Sequence, residues 1–181
     1  PGPGVLSTAG IGAVFGFKPG LRYIIGLFWG TNLVGLIVIS GLAALIFSLP
    51  YIRLVLLLLS SVYILYLAKT ILFSQSTISF LRPMTPPGVI QGVIFQILNP
   101  KAYVVNIAFY SSFAFYPNSL FIEILLKVLI SNLIWIPIHF LWLYAGIFLN
   151  KVTLSNKNRQ NVRLFMACSL IFVVLLSLVS I

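Results

Sequence analysis

Acidic side chains are almost missing from this sequence: its 181 residues hold a single Asp or Glu, one histidine and one cysteine. Each shortage closes a class of chemistry. A hydrolytic Ser and His pair needs a carboxylate to orient the imidazole, and none stands near His139 in the sequence, so hydrolysis is not expected despite the abundant serines. Cys168 lies alone in the last apolar run, which excludes a disulfide framework, a CxxC redox pair and a cysteine metal cluster. A lone His without Cys, Asp or Glu beside it is not a metal site, and hard divalent cations need oxygen ligands that one carboxylate cannot supply. No cofactor and no metal is expected. Charge of either sign is scarce too, at 7% of residues, against roughly a quarter in a soluble domain.

What fills the chain instead is hydrocarbon: 61% of residues are hydrophobic, arranged in long runs separated by short polar breaks. Runs of at least about 18 apolar residues read as membrane spans. The formal charge of +10 raises the question of nucleic acid. That partner needs cations clustered on a solvated face with aromatic or polar readers, whereas here they are scattered between apolar runs, so no nucleic acid is expected. Scattered loop cations are what membrane topology uses.

Along the chain, residues 1–15 read as the second part of a span that ends in the linker Gly16-Phe17-Lys18-Pro19-Gly20. The opening at Pro1 rather than at a methionine suggests that the natural N-terminus and most of a first span lie upstream. Further runs cover 21–47, 52–73, 89–115 with an interruption at Asn99-Pro100, 118–149 with Pro137 inside, and 164–181. The expected fold is an all-α polytopic membrane protein of about six helices forming one transporter domain. Its halves would be 1–73 and 89–181, joined by a linker at 74–88. Each half has three spans and opens with a proline-broken one, at Pro1-Gly2-Pro3 and at Asn99-Pro100. An odd number of spans gives the halves opposite orientations, and matched interrupted segments are the best pointer to a transporter's central site. The loops at 16–22, 74–88 and 150–163 carry nearly all the loop cations, Arg53 being the exception, which places those three in the cytoplasm.

Several residues are candidates for the site. Proline inside a helix has no N–H and crowds the carbonyl four residues earlier, which at Pro100 is that of Gln96. In hydrocarbon such a break survives only where protein or a cavity satisfies it. A half-helix starting there would offer N–H groups and a positive dipole end to a carboxylate, while freed carbonyls would suit an ammonium. A simple packing kink is the plainer alternative. Lys101, directly after the break, can hold a substrate carboxylate or replace a bound cation, or merely bond local carbonyls. Gln96, Asn99 and Asn106 would complete a polar lining, or bond neighbouring helices. Glu123 and Lys127 share a helix face at i, i+4 spacing, so Glu123 is either half of an ion pair or a proton carrier. His139, after Pro137 and between Trp135 and Trp142, is either a structural hydrogen bonder or a proton-coupling group. Tyr63, Tyr66 and Lys69 form a stripe that lines a path from the cytoplasm or anchors at the interface. Gly26 with Gly30, and Gly12 with Gly16 and Gly20, are spaced for close helix packing.

Four motifs carry a resemblance. Pro1-Gly2-Pro3, Gly16-Phe17-Lys18-Pro19-Gly20, Ser61-Val62-Tyr63-Ile64-Leu65-Tyr66-Leu67 and Leu98-Asn99-Pro100-Lys101-Ala102, in this order and spacing, resemble the lysine exporter (LysE/RhtB) family over nearly the whole chain. The resemblance implies a bacterial inner-membrane exporter of amino acids or their derivatives, driven by an ion gradient, with six hydrophobic segments. Family members usually carry Asp or Asn where this chain has Gly4, and many have an acid near the places of Thr31 and Asn32. The expected function is secondary export of amino acids or related zwitterionic metabolites by alternating access, with Pro1, Gly2, Pro3, Tyr63, Gln96, Asn99, Pro100, Lys101 and Asn106 contacting substrate. A non-transporting membrane assembly subunit is the alternative, ahead of a cation exporter. Homodimerisation is left open.

Overall fold

The structure, a computed structural model, describes residues 2–49, 51–73, 85–112, 114–152 and 156–179. Pro1 and most of the 74–88 linker lie outside the described residues. Those described form eight helices and no strand: α1 (Pro3–Phe15), α2 (Phe17–Ile39), α3 (Leu42–Phe47), α4 (Ile52–Phe73), α5 (Val89–Leu98), α6 (Pro100–Ser112), α7 (Leu120–Val152) and α8 (Asn156–Val179). Phe17–Ile39, Leu54–Phe73 and Leu120–Lys151 are long and apolar enough to cross a membrane, and Pro3–Phe15, Val89–Leu98 and Gln160–Leu176 are shorter apolar helices. Large side chains such as Trp29, Leu36, Phe121, Leu133 and Phe172 point outward, as lipid permits. The chain is an all-α polytopic membrane protein.

Three expected boundaries are corrected. The linker at 16–22 shrinks to Gly16, because Pro19 falls in the first turn of α2, where its missing N–H costs no hydrogen bond. The run 21–47 is not one helix: it stops at Ile39, and Gly41, at φ +77°, turns the chain into α3. The loop at 150–163 is mostly helical, with α7 reaching Val152 and α8 starting at Asn156.

The innermost helix, α1, is buried through Ser7, Thr8, Ala9, Gly10, Ile11, Gly12 and Ala13. Small residues are what let neighbouring backbones approach it, since between helices in lipid the attraction is packing rather than hydrophobic. A Cβ built on Gly146 of α7 would lie 2.0 Å from the Ala9 carbonyl oxygen, and one on Gly12 only 2.7 Å from that of Leu143. The same device closes α2 on α5, where a Cβ on Gly26 would lie 2.0 Å from the Val89 oxygen and one on Gly92 2.5 Å from the Tyr23 oxygen.

These contacts also fix direction. Along α1, Gly4 faces His139 and Ala9 faces Gly146, so α1 and α7 run parallel. Along α2, Gly26 faces Val89 and Gly30 faces Val93 and Gln96, so α2 and α5 run parallel. Ser7 meets Tyr23 across the turn at Gly16, which makes α1 and α2 antiparallel. The first helices of the two halves, α1 and α5 with its continuation α6, therefore point opposite ways. One pair of side chains ties α2 to α7: Asn32 and Asn132 donate to each other's Oδ1 at 3.1 and 2.9 Å. Each also donates to the carbonyl four residues back, Phe28 at 2.9 Å and Val128 at 3.0 Å.

Candidate functional site

Two helices begin with proline at the level of the break. Gly2 is the extended N-cap of α1 and Pro3 its first residue. Asn99, also extended, ends α5, and Pro100 starts α6. Proline is preorganised for a first helical position and loses nothing there. The Lys101 side chain reaches from the start of α6 to the start of α1: a Cβ placed on Gly2 would lie 3.6 Å from its Nζ. No hydrogen bond or ion pair joins that ammonium to another described residue.

The break is more self-contained than the sequence suggested. The Gln96 carbonyl, expected to be freed, accepts the Asn99 N–H at 3.2 Å. Asn99 Oδ1 accepts the Lys101 N–H at 3.1 Å, and the Asn99 carbonyl accepts from Ala102 at 3.0 Å. The expectation of free N–H groups on the second half-helix is therefore corrected: Asn99 caps α6 from within. By contrast, Gly2 gives α1 no side-chain cap. Asn99 Nδ2 reaches Gln96 Oε1 at 3.3 Å, and Gln96 Nε2 donates to the Thr31 hydroxyl, tying the break to α2.

His139 closes the other side. It is 6% exposed, and its ring lies 3.5 Å from that of Trp135 at an interplanar angle of 17°. Its Nδ1 is 2.9 Å from the Trp135 carbonyl. A carbonyl only accepts, so Nδ1 carries a hydrogen, and in the neutral ring Nε2 keeps its lone pair. That Nε2 would be 3.8 Å from a Cβ on Gly4, as would Phe95 Cε1. The Gly4 carbonyl accepts from Ser7 and Thr8, each at 2.9 Å, which leaves the Tyr23 hydroxyl, 3.1 Å away, to donate to Ser7.

Of the expected residues, Gly2, Pro3, Gln96, Asn99, Pro100, Lys101 and His139 gather in this one region. Tyr63 stands behind it, donating to the Gln91 carbonyl at 2.8 Å and packed on Phe95 at 5.8 Å between ring centroids. Asn106 sits nearly two turns further along α6, its amide on the Ala102 carbonyl at 2.7 Å and its Oδ1 toward Gly35. Glu123 lies in the first turn of α7, 2.8 Å from Lys127, which also donates to the Tyr110 carbonyl at 3.1 Å. That is 16 residues from His139, about 24 Å along one helix. Below the break, a cleft of about 310 Å³ opens between the ends of α2 and α6 and the start of α7, reaching Val38, Tyr110 and Ile124. Among the described residues no three His, Cys, Asp or Glu side chains cluster as metal ligands. Sequence reasoning singled out Gly4 only through the family resemblance and missed Ser7, Tyr23 and Phe95 as parts of this region, because small and aromatic residues in an apolar run give little polar signal.

The family model described as LysE type translocator matches residues 1–180. The chain belongs to the LysE type translocator family. This translocator is accordingly a membrane transport protein and not an enzyme. No curated protein and no solved structure gave a match.

Proposed function

We propose that this translocator exports amino acids across the bacterial inner membrane, binding them where α1 and α6 begin and releasing them as the two inverted halves rock. The observation that supports this is the Lys101 ammonium lying at the proline-started N-terminus of α1, with no partner among the described residues. Positive dipole ends and an ammonium suit a carboxylate, and the lone pair of His139 Nε2 suits an ammonium hydrogen. Those are the two ends of an amino acid. Asn106 and Tyr110 lead from the break along α6 to the cleft at the opposite end from Lys18, Arg22 and Lys151. Cations gather on the cytoplasmic side, so the cleft faces outward in this reading. Proton coupling falls to His139 rather than to Glu123, which is held by Lys127.

Efflux from cells preloaded with dipeptides tests the proposal. The intact protein is expected to speed the loss of at least one amino acid, and Lys101→Ala at equal expression to remove that gain. Should no amino acid leave faster with the intact protein, a non-transporting assembly role becomes the better reading.

A further inference from the structure

The sequence holds one carboxylate side chain in 181 residues, and it is spent on Lys127. The candidate site therefore contains a cation with no counter-charge. Its remaining groups are the uncapped start of α1, the Asn99-capped start of α6, and the imidazole of His139, uncharged until it takes up a coupling proton. The position matching Lys101, directly after the helix-starting Pro3 as Lys101 is after Pro100, is Gly4, which has no side chain at all. His139 is more than nine-tenths buried, and its Nε2, without a hydrogen-bond partner among the described residues, is directed at the space over Gly4.

We infer that the site selects its substrate by net charge and takes acidic amino acids, of charge −1, in preference to neutral ones, while rejecting basic ones. This rests on the amino-acid export reading above. Lys101 is exposed on the bundle, and an ammonium exposed at membrane depth without a counter-charge is costly. An acidic amino acid brings a second carboxylate that cancels Lys101 and leaves the loaded site neutral. One carboxylate lies on Lys101, the other at the start of α1, and the α-ammonium on His139 Nε2. A neutral amino acid leaves the loaded site at +1. A basic one adds a second ammonium that no carboxylate receives, and brings the site to +2. The groups facing Gly4 from the neighbouring helices are Phe95 of α5 and His139 of α7, neither of which is acidic.

Purified protein in liposomes, given labelled glutamate, leucine and lysine, tests this with two readouts: counterflow, and quenching of the Trp135 emission beside His139. The intact protein is expected to favour glutamate over lysine by roughly tenfold or more in both, with leucine between them. Gly4→Asp places a carboxylate where its Cβ meets only van der Waals contacts and brings the empty site to zero charge, so leucine should become the preferred substrate and glutamate should lose its advantage over lysine. Lysine binding or moving as well as glutamate in the intact protein overturns the charge inference and leaves export standing. Binding in the expected order with no counterflow supports the charge inference and sinks export instead. An unchanged order in Gly4→Asp, with the variant folded by far-UV circular dichroism, also counts against the inference.

Discussion

The mutual amide pair of Asn32 and Asn132 yields a prediction whose size can be worked out. Two interhelical hydrogen bonds, at 3.1 and 2.9 Å, join α2 to α7. In membranes such bonds average about 0.6 kcal/mol and reach about 1.7, so the pair should couple by about 1–2 kcal/mol. Asn132→Leu removes both bonds but leaves Asn32 bonded to the Phe28 carbonyl, so its stranded Oδ1 and second N–H set the cost, about 1–3 kcal/mol. Because Asn132 is bonded in the same way to Val128, Asn32→Leu should cost the same to within about 1 kcal/mol. The double variant strands nothing and should lose less than the sum of the singles. Unfolding in mild detergent micelles, titrated with SDS and followed by far-UV circular dichroism, measures all four corners of the cycle. Additivity to within about 0.5 kcal/mol would refute the mutual pair, since independent sites behave that way.

Other outcomes follow from contacts described above. Gly26→Ala and Gly146→Ala each push a Cβ to about 2.0 Å from a backbone oxygen, and should cost about 1–3 kcal/mol in the same titration. Gly88→Ser, whose nearest neighbour is the Gln91 side chain at 3.5 Å, should stay within about 0.5 kcal/mol of the parent. Tyr63→Phe loses the bond to the Gln91 carbonyl and should lower stability by about 0.5–1.5 kcal/mol, read as a lower Tm. Lys127→Met strands the Glu123 carboxylate and should lower the Tm by more than the Glu123→Gln, Lys127→Met double variant does; equal losses would show that the ion pair is not formed.

Much of this architecture was legible because lipid leaves few options. Apolar runs had to be helices, Asn99-Pro100 had to be a break, and Gly12, Gly26 and Gly30 had to meet backbone, whereas Gly16 is a joint with no atom near its Cβ position and Gly20 meets only the Leu143 side chain. The run 52–73 matches α4 at both ends. The misreadings came from assuming that turns need length: Gly16 alone reverses the chain, and Gly41 alone ends α2, each with a positive φ that glycine reaches without cost. Lys101 was legible by its place after proline. The satisfied state of the break was not, since whether Asn99 caps α6 or faces a cavity depends on a rotamer that spacing does not set. The Asn pair left a trace, Thr31-Asn32 and Ser131-Asn132 lying 100 residues apart, but a doublet of common polar residues means little until two helices bring it together.

The single-residue joint at Gly16 has a mechanical consequence. Gly16 donates to the Gly12 carbonyl at 3.0 Å and accepts from Gly20 at 3.3 Å, so each helix is hydrogen-bonded up to the joint and no slack remains between them. With α1 unable to slide independently, any tilt of its Gly2 end must be answered by α2. Through the backbone contact at Gly26 and Gly92, α2 in turn carries α5 and the break at Asn99. The start of α1 and the break at Asn99 are thus linked like the blades of a pair of scissors, and in the proposed site a solute that displaces one would act on the other through the protein itself.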